Sequence, residues 1–319
     1  VLSRIAQELF WLGRNVARAE HTARMLDGVF QASLQGRPDD PAGVRLGWGS
    51  ILAIMGAHAD GRPVRRDEVL ARMTLAREEP ASVVSCVSRA REGARTVRDV
   101  ISAEMWEAVN TTHLALSAGD LEGRLQMGPY SVFQYVKERS ALFWGLTSRT
   151  MLRDEARAFL VAGGRIESAD MVLRMLRVAM PAPGDGDGPD GVRDGQALAL
   201  LQAVGGFQAF RRAVPAPPNA GPVARFLLYE RAYPDSVAAS VDAVHGALVD
   251  ADAAPRSSEP VLRLSRLAAD LEFRGRAAAE DGNLAEATSL VQSELALVDA
   301  DIAERYFAGA GAAAGTVVA

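Results

Sequence analysis

One cysteine and one lysine stand in a chain of 319 residues, and each scarcity narrows what the chain can be. The lone thiol, Cys86, leaves no intramolecular disulfide, no CxxC redox pair and no cysteine cage for zinc or an iron-sulfur cluster, which fits a reducing cytoplasm. Lys137 is the only lysine among 35 basic residues, so nearly all positive charge is arginine; with the abundance of alanine this reads as coding bias rather than as a site. Histidine is also sparse. His21, His58, His113 and His245 form no HxxxH, HExxH or Glu-x-x-His pattern, so no metal is expected in this chain. No stretch approaches the roughly 18 apolar residues of a membrane span, and the first residues alternate apolar with polar, unlike a signal peptide. Acidic residues exceed basic ones, 40 to 35, and the net charge of -5 offers no phosphate-neutralising surface. Neither nucleic acid nor membrane is expected as a partner.

Long amphipathic segments dominate what is present. Ile5, Leu9, Leu12, Val16, Ala19, Ala23, Leu26 and Phe30 recur in steps of four and three, the seam of a bundled helix over 2–35, which Gly36, Pro38 and Pro41 stop. Further helices are expected over 43–58, 66–77, 82–118, 130–160, 166–180, 196–213, 223–231, 236–252, 260–280 and 284–307, with Gly163-Gly164 as the break between the fourth and fifth of these. The Pro/Gly/Asp stretch 181–195 reads as a loop, and its Asp185-Gly-Asp-Gly-Pro-Asp190 run lacks the geometry and the closing Glu of a calcium loop. No alternating β-branched run occurs, and no strand means no strand-borne phosphate loop. The fold class is all-α, a long-helix bundle forming one domain over 1–307, followed by a disordered tail over 308–319.

Shifting the chain by 150 lays Gly13-Arg-Asn-Val-Ala-Arg-Ala-Glu20 over Gly163-Gly-Arg-Ile-Glu-Ser-Ala-Asp170, and Arg24-Met-Leu26 over Arg174-Met-Leu176. This predicts an internal helical-hairpin repeat, drawn at 1–118 and 130–252 with helices 260–307 appended. Two polar groups could carry chemistry. Gln7, Arg14, Arg18 and His21 lie opposite the apolar seam of the first helix with Trp11 at the edge, a stripe that could grip a carboxylate or phosphate or could be a solvated face with pairs such as Glu20 to Arg24. Arg89, Arg91, Glu92, Arg95, Arg98, Asp99, Glu104 and Glu107, with Trp106, Asn110 and His113, form either an ion-pair lattice or a buried polar site.

These strings resemble the bacterial alpha-E family. The resemblance rests on Leu2-Ser-Arg-Ile-Ala, Leu9-Phe-Trp-Leu-Gly-Arg14, Arg18-Ala-Glu20, Ala23-Arg-Met-Leu-Asp27, Arg91-Glu92 with Ala94-Arg95, Val97-Arg98-Asp99, Glu104-Met-Trp-Glu107 with Asn110, Thr150-Met-Leu-Arg-Asp-Glu155, Glu167 to Asp170, and Phe226-Leu-Leu with Pro234-Asp-Ser-Val237. It covers nearly the whole chain. It implies an accessory, substrate-binding partner of a circularly permuted ATP-grasp ligase, often beside a transglutaminase-like protein, in amide-bond formation on an amino acid or peptide. ATP and magnesium would then belong to the ligase, and this chain would hold no cofactor. The matching polar positions imply a substrate site of Arg14, Arg18, Glu20, Arg91, Arg95, Arg98, Trp106, Asn110 and Asp170, with Glu92, Glu104 and Glu167 as candidate catalytic or orienting carboxylates. Arg14, Arg18, Arg91 and Arg95 would clamp a carboxylate together.

The chain departs from the family pattern at Asn15 and Ala17, where an aromatic residue and Glu are expected, at Gly93 for Asn, and at Gly164 and Ser168 for two arginines. A site needing both copies would therefore be altered here. The rival expectation is a stand-alone acid/base or transferase enzyme, which requires a closed pocket lined by Glu92, Glu104 and Glu167 with a raised carboxylate pKa. A purely structural homo-oligomer is the third.

Overall fold

A computed structural model describes residues 2–35, 47–57, 64–117, 120–179, 190–277 and 284–308. The acidic run 185–189, His58 and the tail beyond 308 lie outside the described residues. The chain is all-α. Its elements are α1 (Ser3–Gln35), α2 (Trp48–Met55), α3 (Arg66–Leu75), α4 (Val83–Thr96), α5 (Ala103–Ser117), α6 (Leu121–Met127), α7 (Tyr130–Thr150), α8 (Glu155–Ala179), α9 (Asp190–Ala203), α10 (Phe207–Ala213), α11 (Ala220–Tyr229), α12 (Val237–Ala251), a single 3-10 turn (Pro255–Ser257), α13 (Glu259–Ala277) and α14 (Leu284–Phe307).

The axis of the fold is the crossing of α1 and α8, the most extensive helix contact in the molecule. Glycine makes it possible. A Cβ on Gly13 would sit 2.1 Å from the Leu160 carbonyl oxygen, and one on Gly163 would sit 2.0 Å from that of Phe10. The expected helix break at Gly163-Gly164 is thus corrected: both glycines lie inside α8, where they admit another helix rather than end their own. The chain breaks instead at 151–154, and Asp154 Oδ1 accepts from Arg157 N–H at 3.2 Å. Gly205, at a φ of 72°, likewise separates α9 from α10, which had been one expected helix. The single segment expected over 82–118 is two helices, α4 and α5, and the glycine-rich stretch after it contains α6, capped by Asp120.

The contacts across the crossing are reciprocal, as in a two-fold interface. The two positive-φ glycines show it best. Gly56, after α2, faces Arg174 of α8, and Gly205, after α9, faces Arg24 of α1, the residue 150 positions earlier. Burial repeats on the same scheme. The buried face of α7, Val132, Phe133, Val136, Ser140, Phe143 and Thr147, recurs 155 positions later in α14 as Ala287, Thr288, Val291, Leu295, Val298 and Ile302. Val83, Val84, Cys86, Val87, Ala90 and Ala94 of α4 recur 154 positions later in α12 as Val237, Ala238, Ser240, Val241, Val244 and Leu248. Even the caps correspond: Ser82 and Ser236 each accept from a backbone N–H three residues on, at 3.1 Å. This draws the repeat at 3–150 and 155–307, with α6 and α10 as unmatched additions. Helices α13 and α14, placed outside the repeat by the sequence, complete its second copy.

Candidate functional site

The polar stripe of α1 does not face solvent. Leu12 through Ala17 are all buried, because α8 crosses the face opposite the apolar seam. Arg14, Arg18 and Glu167 therefore meet at the repeat interface. Arg14 donates from Nε to Glu167 Oε2 at 3.0 Å, and Arg18 donates from Nε to Oε1 at 2.5 Å and from Nη2 to Oε2 at 2.8 Å. The other side of Arg14 grips Asp299 of α14, with Nη1 at 3.0 and 2.9 Å from its two carboxylate oxygens. The Arg14 guanidinium also lies 4.9 Å from the Trp11 ring centroid and 5.8 Å from that of Phe10. Asp299 was not singled out by the sequence; nothing but its place in the repeat could have indicated it.

Two arginines and two carboxylates make this cluster neutral. For Arg14, Arg18 and Glu167 burial opposes charge, but attraction and hydrogen bonding overcome it. The Glu167 carboxyl, lifted by burial, is drawn back down to about 2 by Arg18 and Arg14. Burial lowers both arginines, yet Glu167 holds their pKa above the usual guanidinium value. Glu167 is only 1% exposed and has both oxygens occupied, so it cannot take a proton from a substrate near neutral pH. The clamp expected from Arg14 and Arg18 exists, and it holds the protein's own carboxylate.

The second polar group lies elsewhere. Arg91, Glu92 and Arg95 form a surface chain on α4, with Arg91 to Glu92 at 2.7 Å and Arg95 to Glu92 at 2.9 Å. Arg91 Nε also donates to Asn110 Oδ1 at 2.9 Å, and Arg91 and Arg98 lie 5.8 and 5.1 Å from the Trp106 ring centroid. Hydrogen bonding to Arg95 lowers the Glu92 pKa. Glu104 is exposed at the start of α5. With Glu92 and Glu104 at the surface and Glu167 in the core, the three carboxylates share no pocket, and the four arginines form no joint clamp. The physical reason is helical phase: Gly93 and Ala94, not Arg91 or Arg95, are the buried residues here, and Gly93 faces Glu8 and Leu12 of α1.

Glu20 and Asp170 play equivalent local parts. Arg24 donates to Glu20 at 2.9 and 2.7 Å, and Arg174 meets Asp170 at 2.8 Å, each pair four residues apart in its own copy. Asp170 also accepts from Gln292 at 3.0 Å. Of the departures from the family pattern, Asn15 is structural: it donates to the Trp11 carbonyl and accepts from Arg89 Nε at 3.0 Å, tying α1 to α4. Ala17, Gly164 and Ser168 instead line a cavity of about 410 Å³ between α1, α7 and α8, closed on one side by Pro234 and Asp235. His21 Nε2 lies 3.0 Å from Ser168 Oγ at its wall. Trp144 and Arg157, which the sequence did not single out, also line it.

Among the described residues no three His, Cys, Asp or Glu side chains gather as a metal site, and no helix is long and apolar enough to cross a membrane. No curated protein and no solved structure matches the chain. The model of one family, Alpha-E, described as a predicted alpha-helical domain with a conserved ER motif, matches residues 1–307. The resemblance places Glu-Arg at 17–18 and 167–168, where this chain has Ala17-Arg18 and Glu167-Ser168, so one Glu and one Arg, from different copies, pair across the interface. With a match spanning almost its entire length, the chain belongs to the Alpha-E family.

Proposed function

We propose that the protein is a non-catalytic helical partner of an ATP-grasp ligase, helping to present an amino-acid or peptide substrate for amide-bond formation. The observation that carries this reading is where its charged residues go. Glu167 is locked between two arginines, and Glu92 and Glu104 stand apart on the surface, so the carboxylates available for acid/base work do not converge. Buried charge of this kind orders a scaffold, and the arginine-rich face of α4 and α5 around Trp106 stays open to a partner. The ligase itself is an expectation carried by the family resemblance, with ATP and magnesium bound there.

The test is reconstitution. The protein alone should neither hydrolyse ATP nor form amides, and it should co-purify at low salt with an ATP-grasp protein from its host in near-equal amount and raise that ligase's kcat/KM. Turnover by the rigorously purified chain alone would overturn the reading.

A further inference from the structure

The repeat makes a comparison possible within one molecule. At the α1–α8 crossing, the neutral network of Arg14, Arg18, Glu167 and Asp299 has a symmetry mate. The offsets of 150 for α1 and α8 and 155 for α7 and α14 place Gly164 opposite Arg14, Ser168 opposite Arg18, Ala17 opposite Glu167 and Trp144 opposite Asp299. All four charged positions of one half are uncharged in the other, and three of the four are small. The space they leave is the cavity of about 410 Å³, within the roughly 300–1,000 Å³ of small-molecule sites. Its wall is built around the substitution. A Cβ on Gly164 would lie 2.3 Å from the Trp144 ring, so the indole reaches its place only because position 164 is glycine.

Two polar atoms of this cavity wall lack a partner. Arg157 Nε and His21 Nδ1 are fully buried, and neither has a hydrogen-bond partner among the described residues. His21 as a whole is 4% exposed. An unpartnered buried polar atom is costly, and both atoms belong to side chains that line the cavity. Charge narrows the ligand. Glu20 is neutralised by Arg24, and Asp235 by Arg165 at 3.1 Å, whereas Arg157 has no acidic partner among the described residues. One positive charge remains over.

We propose that this cavity binds a small carboxylate, with the Arg157 guanidinium as its counter-charge, His21 and Ser168 at its wall and Trp144 covering the rest of the molecule. His21 Nε2 and the Ser168 hydroxyl, 3.0 Å apart, satisfy each other at the wall. The carboxylate sits beside Ala17, the counterpart of Glu167, and Arg157 stands in for the two arginines whose counterparts here are Gly164 and Ser168. This rests on the ligase reading only for its setting, since the protein alone is sufficient for binding.

Calorimetric titration of the whole purified chain with N-acetylglycine tests it, with the uncharged N-acetylglycine amide and inorganic phosphate in parallel. The carboxylate should bind saturably, at least tenfold more tightly than either comparison compound, and shift the His21 imidazole resonance. Arg157→Gln should weaken binding at least tenfold without changing the melting temperature, because it breaks no ion pair within the described protein. Ala17→Leu, which fills the cavity without altering charge, should weaken binding as well. Absence of saturable binding, equal binding of the amide or of phosphate, or undiminished binding by Arg157→Gln would overturn the proposal. None of these results would touch complex formation with a ligase, which is read separately by co-purification.

Discussion

Glu167→Gln separates a structural cluster from a catalytic one. The substitution keeps the shape of the side chain but removes the one carboxylate that Arg18 hydrogen-bonds among the described residues, and one of the two that Arg14 holds. A glutamine can accept with one oxygen, and its NH2 must then point at a guanidinium that also only donates. Removing one partner from a buried ion pair costs about 3–5 kcal/mol, because the remaining charge stays desolvated. At roughly 2–4 °C per kcal/mol for chains of 150–250 residues, and less for a longer one, the melting temperature should fall by on the order of 10 °C, read by circular dichroism and by urea unfolding. Glu92→Gln, on the exposed chain of α4, should change stability by no more than about 0.5 kcal/mol. The double variant Arg18→Met/Glu167→Met should recover part of the loss, since an apolar pair of similar volume replaces a buried ion pair at little cost. If Glu167→Gln lies within about 1 kcal/mol of the parent protein, the ion-pair account of the crossing is wrong.

Gly13→Ala and Gly163→Ala should each cost about 3 kcal/mol or more, and by similar amounts, because each Cβ would collide with the other helix's carbonyl, whereas Gly145→Ala, with nothing within 4 Å on an exposed helix face, should stabilise by about 0.5–1 kcal/mol; urea titration of the three reads this. Acid should weaken the fold through Glu167: its folded pKa of about 2 lies below the ordinary 4.5, so its contribution is whole above about pH 4.5 and drains away as pH falls towards 2. At about 1.4 kcal/mol per pKa unit that contribution is roughly 3 kcal/mol, and Glu167→Gln should show a correspondingly flatter stability profile between those pH values. Burial pushes the Cys86 thiol up to about 11, so a thiol reagent near neutral pH should label the chain only as fast as it unfolds.

The helices were legible in the sequence because their apolar spacing is long and regular, and the seam from Ile5 to Phe30 is the clearest instance. What misled was the assumption that a helix has one buried face. Helix α1 is buried on both sides, so Arg14 and His21, which a single seam leaves to solvent, lie inside, and Arg18 is partly covered. Glycine carried the same ambiguity. Gly163 and Gly164 have the composition of a break and the function of a close approach, and only the partner's carbonyl at the crossing distinguishes the two. Arg91 and Glu92 illustrate the converse. Their matching to a family pattern suggested a site, but Glu92 pairs at the surface with its neighbour Arg91 and with Arg95 three residues on, far from Glu167 in the core.

The 150-residue offset, visible in the sequence over one helix, proves the most informative feature because it runs through nearly every helix with slightly different spacings. Insertions in the connecting segments hide such a repeat from direct comparison while leaving the period of burial intact. Once α7 and α14 are in register, Trp144 falls opposite Asp299, and the loss of Arg, Arg and Glu at 164, 168 and 17 ceases to be three separate departures. A lone loss would leave a buried charge without its partner at a cost of several kcal/mol. The joint loss costs far less, and the uncharged positions that result are compatible with a packed indole on one side and, on the other, an Arg157 without an acidic partner among the described residues. Two copies thus divide the work: the charged half holds α1 to α8, and because it does so, the other half is free to change.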